Sequence, residues 1–179
     1  MVRLHDNVGA GQWVWTEPSQ GVRDPTVLLQ TITYHRKVNP NVQIMLTPWG
    51  TPAWAAQSTP KNRLYPNYPG INQPYARQHR AAFEAWAEWL ARQCAAQINW
   101  LDIGNEPECG TLLPEYADGD FYAGSIAQFT EQAVILARAF KSVNPAVKIC
   151  GPSGVYWSYE DSATPDLPLL TSMLRGSYD

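Results

Sequence analysis

Two short stretches, Val38-Asn39-Pro40-Asn41-Val42-Gln43-Ile44 and Val143-Asn144-Pro145-Ala146-Val147-Lys148-Ile149, echo one another within the chain of 179 residues. Each follows a segment with helical hydrophobic spacing and leads into a short β-branched run. One helix-to-strand joint used twice marks a repeated βα unit. Such a repeat restricts the fold to an α/β architecture with a parallel sheet and crossover helices.

Periodicity extends this to a β-α pattern repeated four times. Val2 to His5 is a first strand. Asp24-Pro25 opens a helix to about Val38, with Asp as N-cap and Pro at the first helical position. Val42 to Leu46 is a second strand, stopped by Pro48. A long helix runs from about Pro74 to Ala96. Its Phe83, Trp86, Leu90 and Cys94 share a buried face, while Arg80, Glu84, Glu88 and Arg92 form a solvated, salt-bridged one. The third strand is the apolar run Ile98-Asn99-Trp100-Leu101-Asp102-Ile103-Gly104. A helix follows from about Phe121 to Val143, buried along Ile126, Phe129, Ala133, Leu136 and Phe140. Val147 to Cys150 is the fourth strand, and Thr164-Pro165 starts a last helix.

The connections are lopsided. Helix-to-strand joints take a few residues. The strand-to-helix loops, Asp6 to Arg23, Thr47 to Gln73, Glu106 to Asp120 and Gly151 to Ala163, are long, and long irregular loops are usually functional. All leave the C-terminal ends of strands, the functional face of a (β/α)₈ barrel. A doubly wound sheet would share this asymmetry, but no loop has the glycine pattern of a nucleotide site. A complete barrel takes about 250 residues. We therefore expect a partial (β/α)₈ barrel of four βα units, a single truncated domain of a larger enzyme.

Composition excludes other classes. A net charge of −3 argues against nucleic acid or an anionic membrane as partner. No apolar run approaches a membrane span. No basic stretch followed by an apolar core marks a signal peptide at the N-terminus. Three Cys without a CxxC pair indicate neither a disulfide framework nor a zinc site. Cys94 and Cys150 read as small buried residues. His35 and His79 fall on helices without a third ligand in register, so no metal or other cofactor is expected. Eight Trp and nine Tyr, many in the loops, are in excess of what a core needs.

The chemistry is concentrated at Asn105-Glu106-Pro107, immediately after the third strand. A carboxylic acid at the lip of a buried parallel strand sits where such enzymes react. The amide before it can hold a substrate hydroxyl as donor and acceptor. Strand followed by Asn-Glu-Pro resembles the fourth-strand signature of the clan A glycoside hydrolases. Three further stretches resemble that clan in order. Val2-Arg3-Leu4-His5 is similar to its second strand. Thr47-Pro48-Trp49-Gly50-Thr51-Pro52-Ala53-Trp54-Ala55 is similar to the third-strand exit, where a Trp floors the sugar site. Ile149-Cys150-Gly151-Pro152 is similar to the fifth-strand exit. The overall look is closest to family 39, with families 79, 30 and 5 as neighbours. Gly104 stands where family 39 usually has Trp, and Gly-Asn-Glu-Pro is more like family 79.

The resemblance implies hydrolysis of O-glycosidic bonds of an oligosaccharide or polysaccharide with retention of configuration. Glu106 is then the general acid/base. Asn105 binds the sugar 2-hydroxyl, Trp54 and Trp49 offer stacking surfaces, and Arg3 and His5 line the floor. The clan's nucleophile belongs to a later strand. Glu160, Asp161 and Glu17 are loop carboxylates better read as solvated. Asp102, an acid inside a buried strand, reads as a partner for Arg3. A non-catalytic carbohydrate-binding barrel is the alternative. An aldolase or isomerase would need a Schiff-base lysine, a phosphate-binding glycine loop or a metal cluster, and the one strand lysine, Lys148, reads as an ordinary solvated or interface lysine.

Overall fold

The computed structural model describes residues 1–6, 20–48, 51–55, 75–104 and 125–151. Four strands, β1 (Val2–Asp6), β2 (Ile44–Pro48), β3 (Trp100–Asp102) and β4 (Lys148–Cys150), form one sheet in the order β1-β2-β3-β4. Every neighbouring pair is parallel, with Val2 opposite Ile44, Leu46 opposite Leu101, and Leu101 opposite Ile149. Three helices connect or flank them: α1 (Thr26–Val38), α2 (Arg80–Cys94) and α3 (Ile126–Val143).

Strand parity shows where the helices lie. Leu4, Ile44, Leu46 and Leu101 are buried in one cluster with Leu28 and Ile32 of α1, Phe83, Trp86 and Leu90 of α2, and Phe129, Ala133, Leu136 and Phe140 of α3. Val2 and Ile149 pack against the same cluster. These strand positions share one parity, so they face one side of the sheet. Arg3, Met45, Thr47, Trp100, Asp102, Lys148 and Cys150 have the other. Sequential strand order with helices on one face is a partial α/β barrel. A doubly wound sheet reverses its strand order and has helices on both faces.

The repeated joint has one geometry. Asn39 and Asn144 are the extended residues that end α1 and α3, at φ −142° and −136°. The backbone amide of each donates to the carbonyl four residues back, that of His35 or Phe140. Each side-chain Oδ1 then accepts from the amide two residues on, Asn41 at 3.0 Å and Ala146 at 3.1 Å. An Asx turn thus relays the chain from helix to strand in both places.

Helix boundaries differ from expectation in ways that have local causes. α1 begins at Thr26 with Pro25, not Asp24, at the N-cap and no side-chain cap; Asp24 stands one residue earlier, and its carboxylate accepts from the Thr26 amide at 2.9 Å. The long second helix is a 3₁₀ turn over Arg77–His79, then α2, then a 3₁₀ turn over Ala95–Gln97. α3 starts behind a Ser125/Gln128 capping box; Phe121 to Gly124 lie outside the described residues. β2 begins at Ile44, later than expected, and includes Pro48, because a terminal strand residue needs no ladder donor. β3 and β4 are each shorter than expected. Arg80 and Glu84 pair at 2.9 Å and Arg92 and Glu88 at 3.5 Å, as the charged face implies. Arg80 also binds Glu131, tying α2 to α3. No described helix is long and apolar enough to cross a membrane. The Thr164-Pro165 helix lies outside the described residues.

Candidate functional site

A side-chain network on the face away from the helices links β1, from Arg3 near its start, to the C-terminal parts of β2 and β3. Arg3 Nη2 donates to Asp102 Oδ2 at 2.7 Å, and Arg3 Nε donates to Thr47 Oγ1 at 2.8 Å. The Thr47 hydroxyl, with one proton to give, donates to the same Asp102 oxygen at 3.1 Å. One guanidinium, one hydroxyl and one carboxylate close a ring across three strands. The Asp102 side chain is 1% exposed and that of Arg3 31%. The pairing of Asp102 with Arg3 follows from an acid placed inside a buried strand. Thr47 was not singled out as a bridging residue. Its signal was its parity with Met45, which put a hydroxyl on the polar face.

Committed to Arg3 and Thr47 and cut off from solvent, Asp102 is not placed to deliver a proton to a substrate. Its other oxygen lies 3.5 Å from the Gly104 amide, where the strand has ended. On the far side, the ring of Phe129 in α3 presses on Gly104. A Cβ there would stand 2.6 Å from two ring carbons. Gly104 is therefore required by the approach of α3, and a Trp at this position, the family 39 pattern, does not fit against Phe129.

At the neighbouring exit, Cys150 follows Asp102 in register, and Gly151 takes a left-handed φ of 91°. Burial pushes the Cys150 thiol up to about 11; the Asp102 carboxylate adds to the rise and the Arg3 guanidinium opposes it. The Arg3 and Asp102 charges thus act with opposite sign on a third group at this end of the sheet.

Trp54 lies in the 3₁₀ turn Ala53–Ala55 beyond β2. Its ring meets the His79 imidazole edge-on at 5.8 Å and 89°. Its indole N–H is buried with no acceptor among the described residues. The turn is anchored by the Ala76 amide, which donates to the Ala55 carbonyl at 2.8 Å, and by Gln132, which donates to the buried Thr51 hydroxyl at 2.7 Å. His79, expected as a plain helix residue, is thus a neighbour of Trp54. His5 is on β1, opposite Thr47 in register. Asn105, Glu106 and Trp49 lie outside the described residues, as do Glu17, Glu160 and Asp161. Among the described residues no group of three or more His, Cys, Asp or Glu could hold a metal ion. Lys148 is exposed, with its ammonium over the Trp100 ring at 4.6 Å.

No family model matches the chain, and no curated protein matches its sequence. Solved structures do resemble the fold. A glucosidase from Croceicoccus marinus matches with a TM-score of 0.50 and 19% identity, over 85% of this chain and 28% of its own. SrfJ from Salmonella typhimurium matches with a TM-score of 0.52 and 16% identity, over 82% of this chain and 34% of its own. The chain spans about a third or less of the proteins it matches. The likeness is one of fold, shared with a glycosidase, and it does not extend to family 39.

Proposed function

We propose that this chain contributes the acid/base half of the active site of a retaining glycoside hydrolase, with Glu106 as the general acid/base. The observation that supports this best is the position of β3. It is a central parallel strand ending at Asp102, and the chain continues directly into Gly104-Asn105-Glu106-Pro107. The fold likeness to a glucosidase agrees with it.

Glu106 protonates the departing glycosidic oxygen, then takes a proton from the water that releases the sugar from the enzyme. The reaction needs a second carboxylate about 5–5.5 Å away as nucleophile, which this reading assigns to a strand outside this chain. Asn105 holds the 2-hydroxyl, a contact that strengthens as positive charge grows on the ring. Trp54 and Trp49 flank the sugar, with Arg3 and His5 beneath it. The substrate class is an oligosaccharide or polysaccharide.

The test is Glu106→Ala in the full polypeptide, assayed on aryl glycosides beginning with glucosides. Loss of general acid/base catalysis costs about 10²–10⁴-fold. Azide should restore turnover and give the glycosyl azide. Unchanged turnover removes Glu106 from the mechanism.

A further inference from the structure

We propose that Thr51 is a positioning residue: through Gln132 of α3 it fixes the turn that carries Trp54, so that the indole is presented in one orientation. The proposal rests on reading Trp54 as a residue that flanks the sugar. Thr51 is fully buried and Gln132 is 4% exposed. Gln132 Nε2 donates to Thr51 Oγ1 at 2.7 Å, across 81 residues of sequence. A hydrogen bond shut away from water is costly to leave unmade. At the other end of the turn, the Ala76 amide donates to the Ala55 carbonyl at 2.8 Å. Between these anchors the Ala55 amide donates to the Pro52 carbonyl at 2.8 Å, closing the 3₁₀ turn. α3 thus holds the start of the segment, and the residues leading into α2 hold its end.

Thr51, Pro52 and Ala55 are buried, whereas Trp54 is partly exposed. The Trp54 indole N–H is buried and meets no acceptor among the described residues. Its ring contact among them is with the edge of His79, at 5.8 Å. His79 is itself tied down by its amide, which donates to the Ala76 carbonyl at 2.7 Å. An indole with no hydrogen bond of its own takes its orientation from its backbone and from the ring beside it. The bond to Gln132 sets the first, and Ala76 links both. Thr51→Val keeps the branched shape and removes the hydroxyl, which leaves this Gln132 donor buried and unmatched. The turn must then shift to offer it another acceptor or a water.

The readout is fluorine NMR of the full polypeptide labelled with fluorotryptophan, the Trp54 resonance being assigned by Trp54→Phe. The wild type should give Trp54 a single narrow line. Thr51→Val should move or broaden that line while the other Trp lines stay in place. Thr51→Ser restores the hydroxyl and should return it. On an aryl glycoside, Thr51→Val should raise KM about three- to tenfold, the weight of one aromatic contact, with kcat nearly unchanged. If Thr51→Val does not fold, Gln132→Met breaks the same bond from α3 and should disturb the same line. A wild-type Trp54 line split or broadened by exchange overturns the proposal without any variant. So does a Trp54 line unmoved in folded Thr51→Val, or one that moves together with all the other Trp lines. A moved line with KM unchanged removes Trp54 from the sugar site and overturns the role given to Thr51 in binding. The spectra do not depend on turnover. A polypeptide inactive on every glycoside would sink the hydrolase reading while they still decided how the turn is held.

Discussion

At the scale of single residues, the site depends on groups that tolerate little change in size or charge. Gly104 has the Phe129 ring where a side chain would begin. Phe129 is 4% exposed and has little room to withdraw. Gly104→Ala should therefore destabilise the protein by about 1–3 kcal/mol, the usual cost of forcing extra atoms into a packed core. Phe129→Leu in the same background should recover part of the loss. Urea midpoints of the two variants check this, and a Gly104→Ala midpoint equal to wild type would show that the ring yields freely. The Arg3–Asp102 pairing was legible in the sequence because an acid in a buried strand needs a cation within reach. The role of Phe129 was legible only as a buried helix position. Helical period shows that a ring faces inward, not which backbone it meets.

At the scale of elements, the two Asn joints show a sequence repeat becoming a structural one. They are not energetically equal. Among the described residues the Asn39 side chain makes the Asx turn alone, whereas Asn144 also donates from Nδ2 to the Ala95 carbonyl at 2.8 Å, joining α3 to the end of α2. With about 1 kcal/mol for each net hydrogen bond, Asn39→Ala should cost about 1 kcal/mol and Asn144→Ala about 2 kcal/mol. Denaturant unfolding of both variants tests the ranking, and equal losses would mean that the bond to Ala95 adds nothing. Helix cores and charged faces were readable from spacing. The 3₁₀ turns at the ends of α2 were not, since no residue there signals i+3 over i+4 bonding.

At the scale of the whole molecule, the fold keeps two weak acids neutral. The Cys150 thiol is pushed from an ordinary value near 9 to about 11, mainly by burial. Burial, with the Glu131 carboxylate adding to it, raises the Tyr75 phenol as well. Both groups hold their protons in the folded state at a pH where the unfolded chain has released them. Their contribution is complete below pH 9 and is lost as pH rises through the folded values. Stability should thus fall above pH 9, and Cys150→Ala should flatten the part of the slope between pH 9 and 11. Denaturant midpoints across that range, wild type against variant, provide the measurement. Parallel slopes would mean that the thiol does not sense folding.

The order of strands and helices, the inward stripes and the Asn joints were determined by sequence alone, because each is written within a turn or two of the chain. Tertiary structure alone decided that strand order runs β1-β2-β3-β4 with the helices on one face, which separates a barrel from a doubly wound sheet. It also brought Thr47 between Arg3 and Asp102, His79 to Trp54, Phe129 to Gly104 and Glu131 to Arg80. Periodicity tells a residue which way to face. Its partner is chosen by how successive crossovers pack, and that depends on contacts between residues far apart in the chain.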